Sequence, residues 1–449
     1  MLDRRDLIIA IAWVLGVLFA VLVDQFSPFD VETASVLLSV GTILLTAANW
    51  RAHQGGRNAS FIFLVLACIF LCGRAFPALL GGESLLDQIG FTDGYSVTPE
   101  TVMAYVVLAL TSFFFIHIGS LLPRATIRAL GNSHVEAKIY WRLFLLFLPA
   151  LIYKNIYYFT YIISHGGYLA IYQGSDHLEG VGILARIGSL LCLASFTLYF
   201  FHETDQKKSG RALIFFLIVF ASELLVGLRG KFFVTALVFF LFHKLRFGGK
   251  FSLRGLAVLL STIIVIAIAV EVMREQKTES NIHGAIFMGF LVQQGVSAGV
   301  NLVVLSDPSY YIQHAWGYFW HQFAAPFYSQ PEVPQGWFLA NDISLMIMPE
   351  AFAAGYGTGS SYLAELFLLG GAVAVCIGSV AIGWLLGMAK RFNQGVAGAI
   401  MFWVVCGVVY YPRTMLQEPV HNLMRYAAPI VLLAICCHFL RVWRRKKST

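Results

Sequence analysis

Charge is what this sequence has least of. Asp, Glu, Lys and Arg make up 12% of its 449 residues, against about 25% in an ordinary soluble domain. Hydrophobic residues reach 58% and mean hydropathy is +0.74. That balance excludes a soluble globular chain and reads as a polytopic membrane protein. Cysteine is also scarce, and the seven present (Cys68, Cys72, Cys192, Cys376, Cys406, Cys436 and Cys437) all fall inside apolar runs. None forms a Cys-x-x-Cys pair with histidine partners, which argues against a disulfide frame or a zinc site. A Gly-rich P-loop and a Gly-x-Ser-x-Gly elbow are both missing, so nucleotide use and serine hydrolysis find no support. The two halves of the chain show no internal repeat, which weighs against a transporter.

What is present is a succession of apolar runs. A bilayer-spanning helix needs roughly 20 mostly apolar residues. Runs near 7–23, 32–48, 60–80, 101–122, 143–163, 181–201, 212–228, 230–243, 253–272, 361–388, 396–411 and 423–440 give twelve expected spans. The N-terminal Met1-Leu-Asp-Arg-Arg-Asp6 precedes the first run with no small-residue cleavage site after it, and reads as leading into a membrane helix. The organisation expected is nine spans over 1–272, a large outer segment at 273–360, and three spans with a basic tail over 361–449. The outer segment is aromatic-rich and poor in charge, which argues against disorder. Its stretch Gly284–Leu305 is apolar enough to lie in the interface or dip back into the membrane as a re-entrant helix.

Sorting Lys and Arg by connection sharpens the topology. With Arg4 and Arg5 at one end and the basic tail at the other, 22 of the 31 fall on one set of connections and at the termini. The positive-inside rule then places both termini in the cytoplasm, and explains the pI near 9.0 better than a nucleic-acid face would. The other nine are Arg74, Lys154, Arg186, Arg229, Lys231, Arg274, Lys277, Arg413 and Arg425. All lie on the outer side or within spans, where a charge at the bilayer centre costs at least ~2.5–3.5 kcal/mol.

Several of these sit in chemically suggestive company. In Tyr411-Tyr-Pro-Arg-Thr-Met-Leu-Gln-Glu-Pro-Val-His-Asn-Leu-Met-Arg425, Arg413 and Arg425 flank Glu418 and His421. A helix starting around Pro419 would put Glu418, His421 and Arg425 on one face, a set suited to an anionic substrate and acid–base chemistry. Gly227-Leu-Arg-Gly-Lys231 reads as a tight outer turn presenting Arg229 and Lys231 at a helix start, as phosphate contacts or as interfacial anchors. Arg186 opens the sixth span and is another phosphate candidate. Arg274 meets either substrate or Glu271. Arg74 and Lys154 either pair with an acid such as Glu223 or serve the site. Glu365 lies about one turn inside an apolar helix, where loss of hydration makes a carboxylate a stronger base; the alternative is a counter-ion for an arginine. Trp316, Trp320, His321 and Trp337 offer flat faces to a sugar, or form an aromatic belt at the interface. His314 and His321 lack a third ligand, so no metal site is expected.

Three of these stretches carry a resemblance: Gly227-Leu-Arg229-Gly230, the small-residue run Gly357-Thr-Gly-Ser-Ser-Tyr-Leu-Ala-Glu365, and Arg413 followed a dozen residues later by Arg425. With the many spans and the late outer segment, the chain resembles the Wzy-type polymerases, which join lipid-linked repeat units of O-antigen and related bacterial polysaccharides. The resemblance implies an all-α, GT-C-like membrane glycosyltransferase of the bacterial inner membrane, with a growing glycan on undecaprenyl pyrophosphate as donor and a new lipid-linked unit as acceptor. Arg186, Arg229, Lys231, Arg274, Arg413 and Arg425 would hold the pyrophosphate. Glu365 or His421, with Glu418 nearby, would take the acceptor's proton. No cofactor or metal is implied; a chain-length regulator protein would be a further partner. Two alternatives stay open: an O-antigen ligase with the same donor, and a flippase for lipid-linked sugars.

Overall fold

A computed structural model describes residues 30–82, 97–123, 134–165, 180–227, 229–249, 286–324, 334–353 and 357–448, with Leu85, Gly255, Ser261 and Val265 singly. Among the described residues the regular structure is entirely helical, as expected for a backbone that must satisfy its own hydrogen bonds in lipid. The chain opens with α1 (Val31–Ala52), capped by the Asp30 carboxylate, which accepts from the Thr33 N–H at 2.6 Å. α2 (Ala59–Phe70) starts at Asn58 and bends by 69° into a 3-10 helix, Gly73–Leu80. α3 (Pro99–Leu121), capped by Thr98, is followed by α4 (His134–Ser164), α5 (Ile183–His202), α6 (Gln206–Phe220), α7 (Ser222–Leu225) and α8 (Arg229–Phe247). Short helices come next: α9 (Ile286–Gln294), α10 (Val296–Ser306), α11 (Pro308–Ile312), α12 (Ala315–Ala324), α13 (Leu339–Ile347) and α14 (Pro349–Ala353). α15 (Tyr362–Met388), α16 (Gly395–Val409), a 3-10 turn at Tyr411–Arg413 and α17 (Glu418–Ser448) complete the bundle.

Seven described helices are long and apolar enough to cross a membrane, or nine if each of two bent pairs is one span. The expected count of twelve is therefore not reached among the described residues. The run at 7–23 and most of 253–272 lie outside them. Neither of the pair expected at 212–228 and 230–243 is among the candidate spans: helices form there, but α6 ends after 15 residues and breaks into the single turn of α7, and α8 carries basic residues at both ends. The described part of 273–360 is a set of short helices. The stretch Gly284–Leu305 corresponds to α9 and α10, bent by 43°.

Small residues set how closely the spans approach. A Cβ on Gly119 of α3 would stand 2.2 Å from the Val380 carbonyl oxygen, and one on Gly383 of α15 2.1 Å from that of Ile116. Backbone contact of this kind is how helices associate where lipid removes the hydrophobic drive. Aromatic rings fill the other seam, with Phe196 stacked on Phe216 at 4.0 Å and Phe239 against Phe402 at 4.0 Å.

Two features position the site. First, α15 is broken at Gly370–Gly371, where Gly371 has φ +60°. Tyr362 and Ser379 both hydrogen-bond Ser112 at 2.7 Å, and Leu366 packs on Gly378. Uninterrupted helix, at roughly 1.5 Å per residue, would hold those pairs too far apart. The piece bearing Glu365 folds back along the span that follows it. Second, α16 has only 15 residues, a rise of roughly 22 Å against a hydrocarbon layer of about 30 Å. A second small core, containing Val303, Tyr311, Leu339 and Ile343, packs α10 to α13 against Ala364 and Leu368 of α15.

Candidate active site

The buried Glu365 is the focus of one half of the site. Its neighbours follow from the small-residue run before it: Gly359 takes φ +75°, which turns Ser360 and Ser361 toward the helix start. The Ser360 hydroxyl donates to Glu365 Oε1 at 2.5 Å, and the Leu416 N–H donates to Oε2 at 2.9 Å. Leu416 and the neighbour of Ser360 are themselves held. The Leu416 carbonyl accepts from the Tyr411 hydroxyl at 2.7 Å, and Asn301 Nδ2 of α10 donates to the Ser361 hydroxyl at 3.1 Å. Nearby, Arg413 donates to Gln294 Oε1 at 2.6 Å while its guanidinium lies 5.3 Å from the centre of the Phe70 ring. Gln417 is buried and donates to the Phe319 carbonyl at 2.9 Å.

The other half gathers positive charge. Glu223, fully buried on α7, lies 3.1 Å from Lys154 Nζ and 3.4 Å from Lys231 Nζ. Arg425 reaches the Tyr426 hydroxyl, which also feels Glu223 and Lys154. Arg186 and Glu223 both act on Tyr158. The Arg186 Nε is buried with no hydrogen-bond partner among the described residues. Two ammonium groups therefore contact one carboxylate, and two arginines act on the tyrosines that this carboxylate also acts on. Beside them runs an apolar groove of about 580 Å³ between α5 and α17, lined by Ile187, Leu190, Leu191, Pro429, Leu432 and Ile435. It begins one residue after Arg186 and one helical turn after Arg425.

A glycine joins the halves. A Cβ on Gly230 would stand 2.2 Å from the Tyr410 hydroxyl. The Arg229-Gly230 turn thus abuts the segment that supplies Arg413 and Leu416 to the first half. Tyr410 in turn packs edge-on against Phe70, at 5.9 Å between centroids.

The expected residues sort as follows. Glu365 is held by Ser360 and Leu416, and Arg413 by Gln294; Lys231 pairs with Glu223, while Arg186 and Arg425 act on Tyr158 and Tyr426. Arg229 starts α8. Arg274 lies outside the described residues. α17 begins at Glu418, so Glu418, His421 and Arg425 do share a helix face. Arg413 does not flank that face with Arg425, because its guanidinium turns to Gln294 and Phe70. Of the two interior cations, Lys154 does pair with Glu223, whereas Arg74 Nε donates to the Val292 carbonyl at 3.1 Å. Trp316 and Trp320 are exposed on one side of α12, while His321 stacks on Trp337 at 4.5 Å. Among the described residues no three His, Cys, Asp or Glu converge. Sequence reasoning missed Gln294, Gln417 and Asn301 as second partners. The signal was there: Gln293, Gln294 and Asn301 are the polar residues of an otherwise apolar stretch.

The family profile described as O-antigen polysaccharide polymerase Wzy matches residues 7–447, nearly the whole chain. No curated protein and no solved structure matches it.

Proposed function

The chain belongs to the Wzy family of O-antigen polysaccharide polymerases, and from that premise we propose that it transfers a growing glycan from one undecaprenyl pyrophosphate to a second lipid-linked repeat unit, at the outer face of the inner membrane. The observation that carries this reading is the pair Lys154 and Lys231 on the buried Glu223, together with Arg186 and Arg425 flanking the start of an apolar groove. A diphosphate on a long prenyl chain has that chemistry: an anionic head for the cations, an apolar tail for α5 and α17. On this reading Arg229, at the start of α8, and Arg413 are further contacts for the diphosphate.

In the reaction, an acceptor hydroxyl attacks the anomeric carbon of the donor sugar. Its oxygen–carbon bond forms as the bond from that carbon to the diphosphate breaks. The proton passes to the Glu365 carboxylate, whose oxygens are oriented by Ser360 and by the Leu416 N–H. The cations take up the charge that develops on the departing diphosphate, the preorganised electrostatic role that usually contributes most. His421 and Glu418, one turn into α17, are the alternative proton acceptors, and Trp316, Trp320, His321 and Trp337 supply the faces for sugar.

The test is polymer length. Cells carrying Glu365→Gln or Lys231→Ala should display surface glycan capped at one repeat. A normal ladder from both variants removes the site, and complete loss of surface repeats points instead to a ligase or flippase. Purified chain supplied with a lipid-linked repeat unit should give the same order of activities.

A further inference from the structure

At the opposite end of the bundle is a second basic site that the polymerisation reaction does not use. α8 begins beside Tyr410 and ends at Lys244 and Phe247; α15 carries Glu365 at its start and runs to Lys390 just past its end. There the end of α1, the end of α8 and the α15–α16 connection enclose a cavity of about 190 Å³. Its polar lining is His53, Gln54, Arg57, Lys244, Lys390 and Asn393, with no carboxylate among them. Three cations gathered at this end fit the ordinary charge bias of membrane proteins. That bias does not account for what is buried with them.

The site is built. Arg57 Nε donates to the Gly249 carbonyl at 3.0 Å, and its NH2 to that of Gly248, so this guanidinium answers the carbonyl end of α8. Lys390 Nζ donates to His53 Nδ1 at 3.0 Å. His53 Nε2 then faces the Ser120 hydroxyl at 2.9 Å, which donates to the His117 carbonyl at 2.7 Å. Burial, then the charges of Lys390 and His117, hold the His53 imidazole down to about 2, so it is neutral and accepts. Burial and the charge of Arg57 press the Lys390 ammonium down to about 8. Asn393 is 2% exposed, and its Nδ2 has no hydrogen-bond partner among the described residues. A buried amide donor left open beside two ammonium groups is costly unless an acceptor arrives.

We propose that this cavity binds a phosphate group, held by Lys244, Lys390 and the Asn393 amide. Its volume is well below the roughly 300–1,000 Å³ of pockets for larger ligands. It suits one phosphate, either as the free ion or as the headgroup of an anionic phospholipid.

Radiolabelled inorganic phosphate titrated onto the purified full chain in detergent tests the first source. Nanodiscs of phosphatidylcholine containing phosphatidic acid, with lipid retained per chain counted by mass spectrometry, test the second. One saturable phosphate per chain is expected in at least one arm. Binding in detergent assigns the free ion; retention of phosphatidic acid alone assigns the headgroup. Lys390→Gln and Asn393→Asp should each weaken binding roughly tenfold or more, and Lys390→Arg should restore most of it. Lys138→Gln, a cation lining a different cavity, should change nothing. The absence of saturable binding in both arms, or equal binding by wild type and Lys390→Gln, overturns the proposal.

Discussion

Two buried glutamates sit on either side of the Gly230–Tyr410 contact, and they are held in opposite ways. Glu223 has an ammonium group at each oxygen, whereas Glu365 accepts from a hydroxyl and a backbone N–H. Both are in apolar surroundings, so composition alone does not separate them. Lysines that neutralise a carboxylate make it a poor proton acceptor and leave surplus positive charge nearby. Neutral donors instead aim a carboxylate while leaving it able to take a proton. On the reaction proposed above, the difference would divide the labour: Glu223 would organise cations, and Glu365 would take the proton.

The sharpest way to break that contrast is to remove each charge. Glu365→Gln keeps size and one acceptor oxygen, for the Leu416 N–H, and should lower polymerisation by the ~10²–10⁴-fold typical of a lost general base. Its thermal unfolding in detergent should stay close to wild type. Glu223→Gln should do the reverse, leaving Lys154 and Lys231 without their counter-charge. Breaking one side of such a buried pair costs about 3–5 kcal/mol, read as a lower unfolding temperature, and adding Lys154→Met should recover much of it. Gly230→Ala pushes a methyl into the Tyr410 hydroxyl, an overpacking cost of about 1–3 kcal/mol. Tyr410→Phe in that background should recover part of the loss. The smallest effect is expected from Ser360→Ala, which removes one aiming bond of Glu365. At about 1 kcal/mol this is a roughly fivefold fall in turnover with unchanged affinity for the lipid-linked donor. Equal turnover losses from Glu223→Gln and Glu365→Gln would erase the distinction.

How much of this was legible beforehand depends on the kind of interaction. The spans follow from apolar length, and the family from a few short stretches, so both were readable. Glu365 stood out because an acid one turn into an apolar helix has few partners within its own segment. Its fold-back was hidden, since Gly370-Gly371 reads equally well as a small-residue contact between straight helices. The splitting of Arg413 from Arg425 was hidden for a related reason. Sequence spacing reports one helix face, whereas the Arg413 guanidinium finds Gln294, a residue far away in the chain. Lys154 with Glu223 was foreseeable as a pairing of scarce charges. Its second cation, Lys231, was read as a phosphate contact or an interfacial anchor, and the structure pairs it with the acid.

The brevity of α16 has a consequence for how a lipid-borne sugar would be handled. If α16 starts at the far surface of the bilayer, the Tyr410–Glu418 connection, which begins 15 residues after the helix start, lies below the headgroup level rather than above it. A prenyl-anchored donor would then stay seated in its leaflet, and the hydrophilic sugars would be the ones to descend. The work of bringing two membrane-bound molecules together becomes a sideways search within a plane.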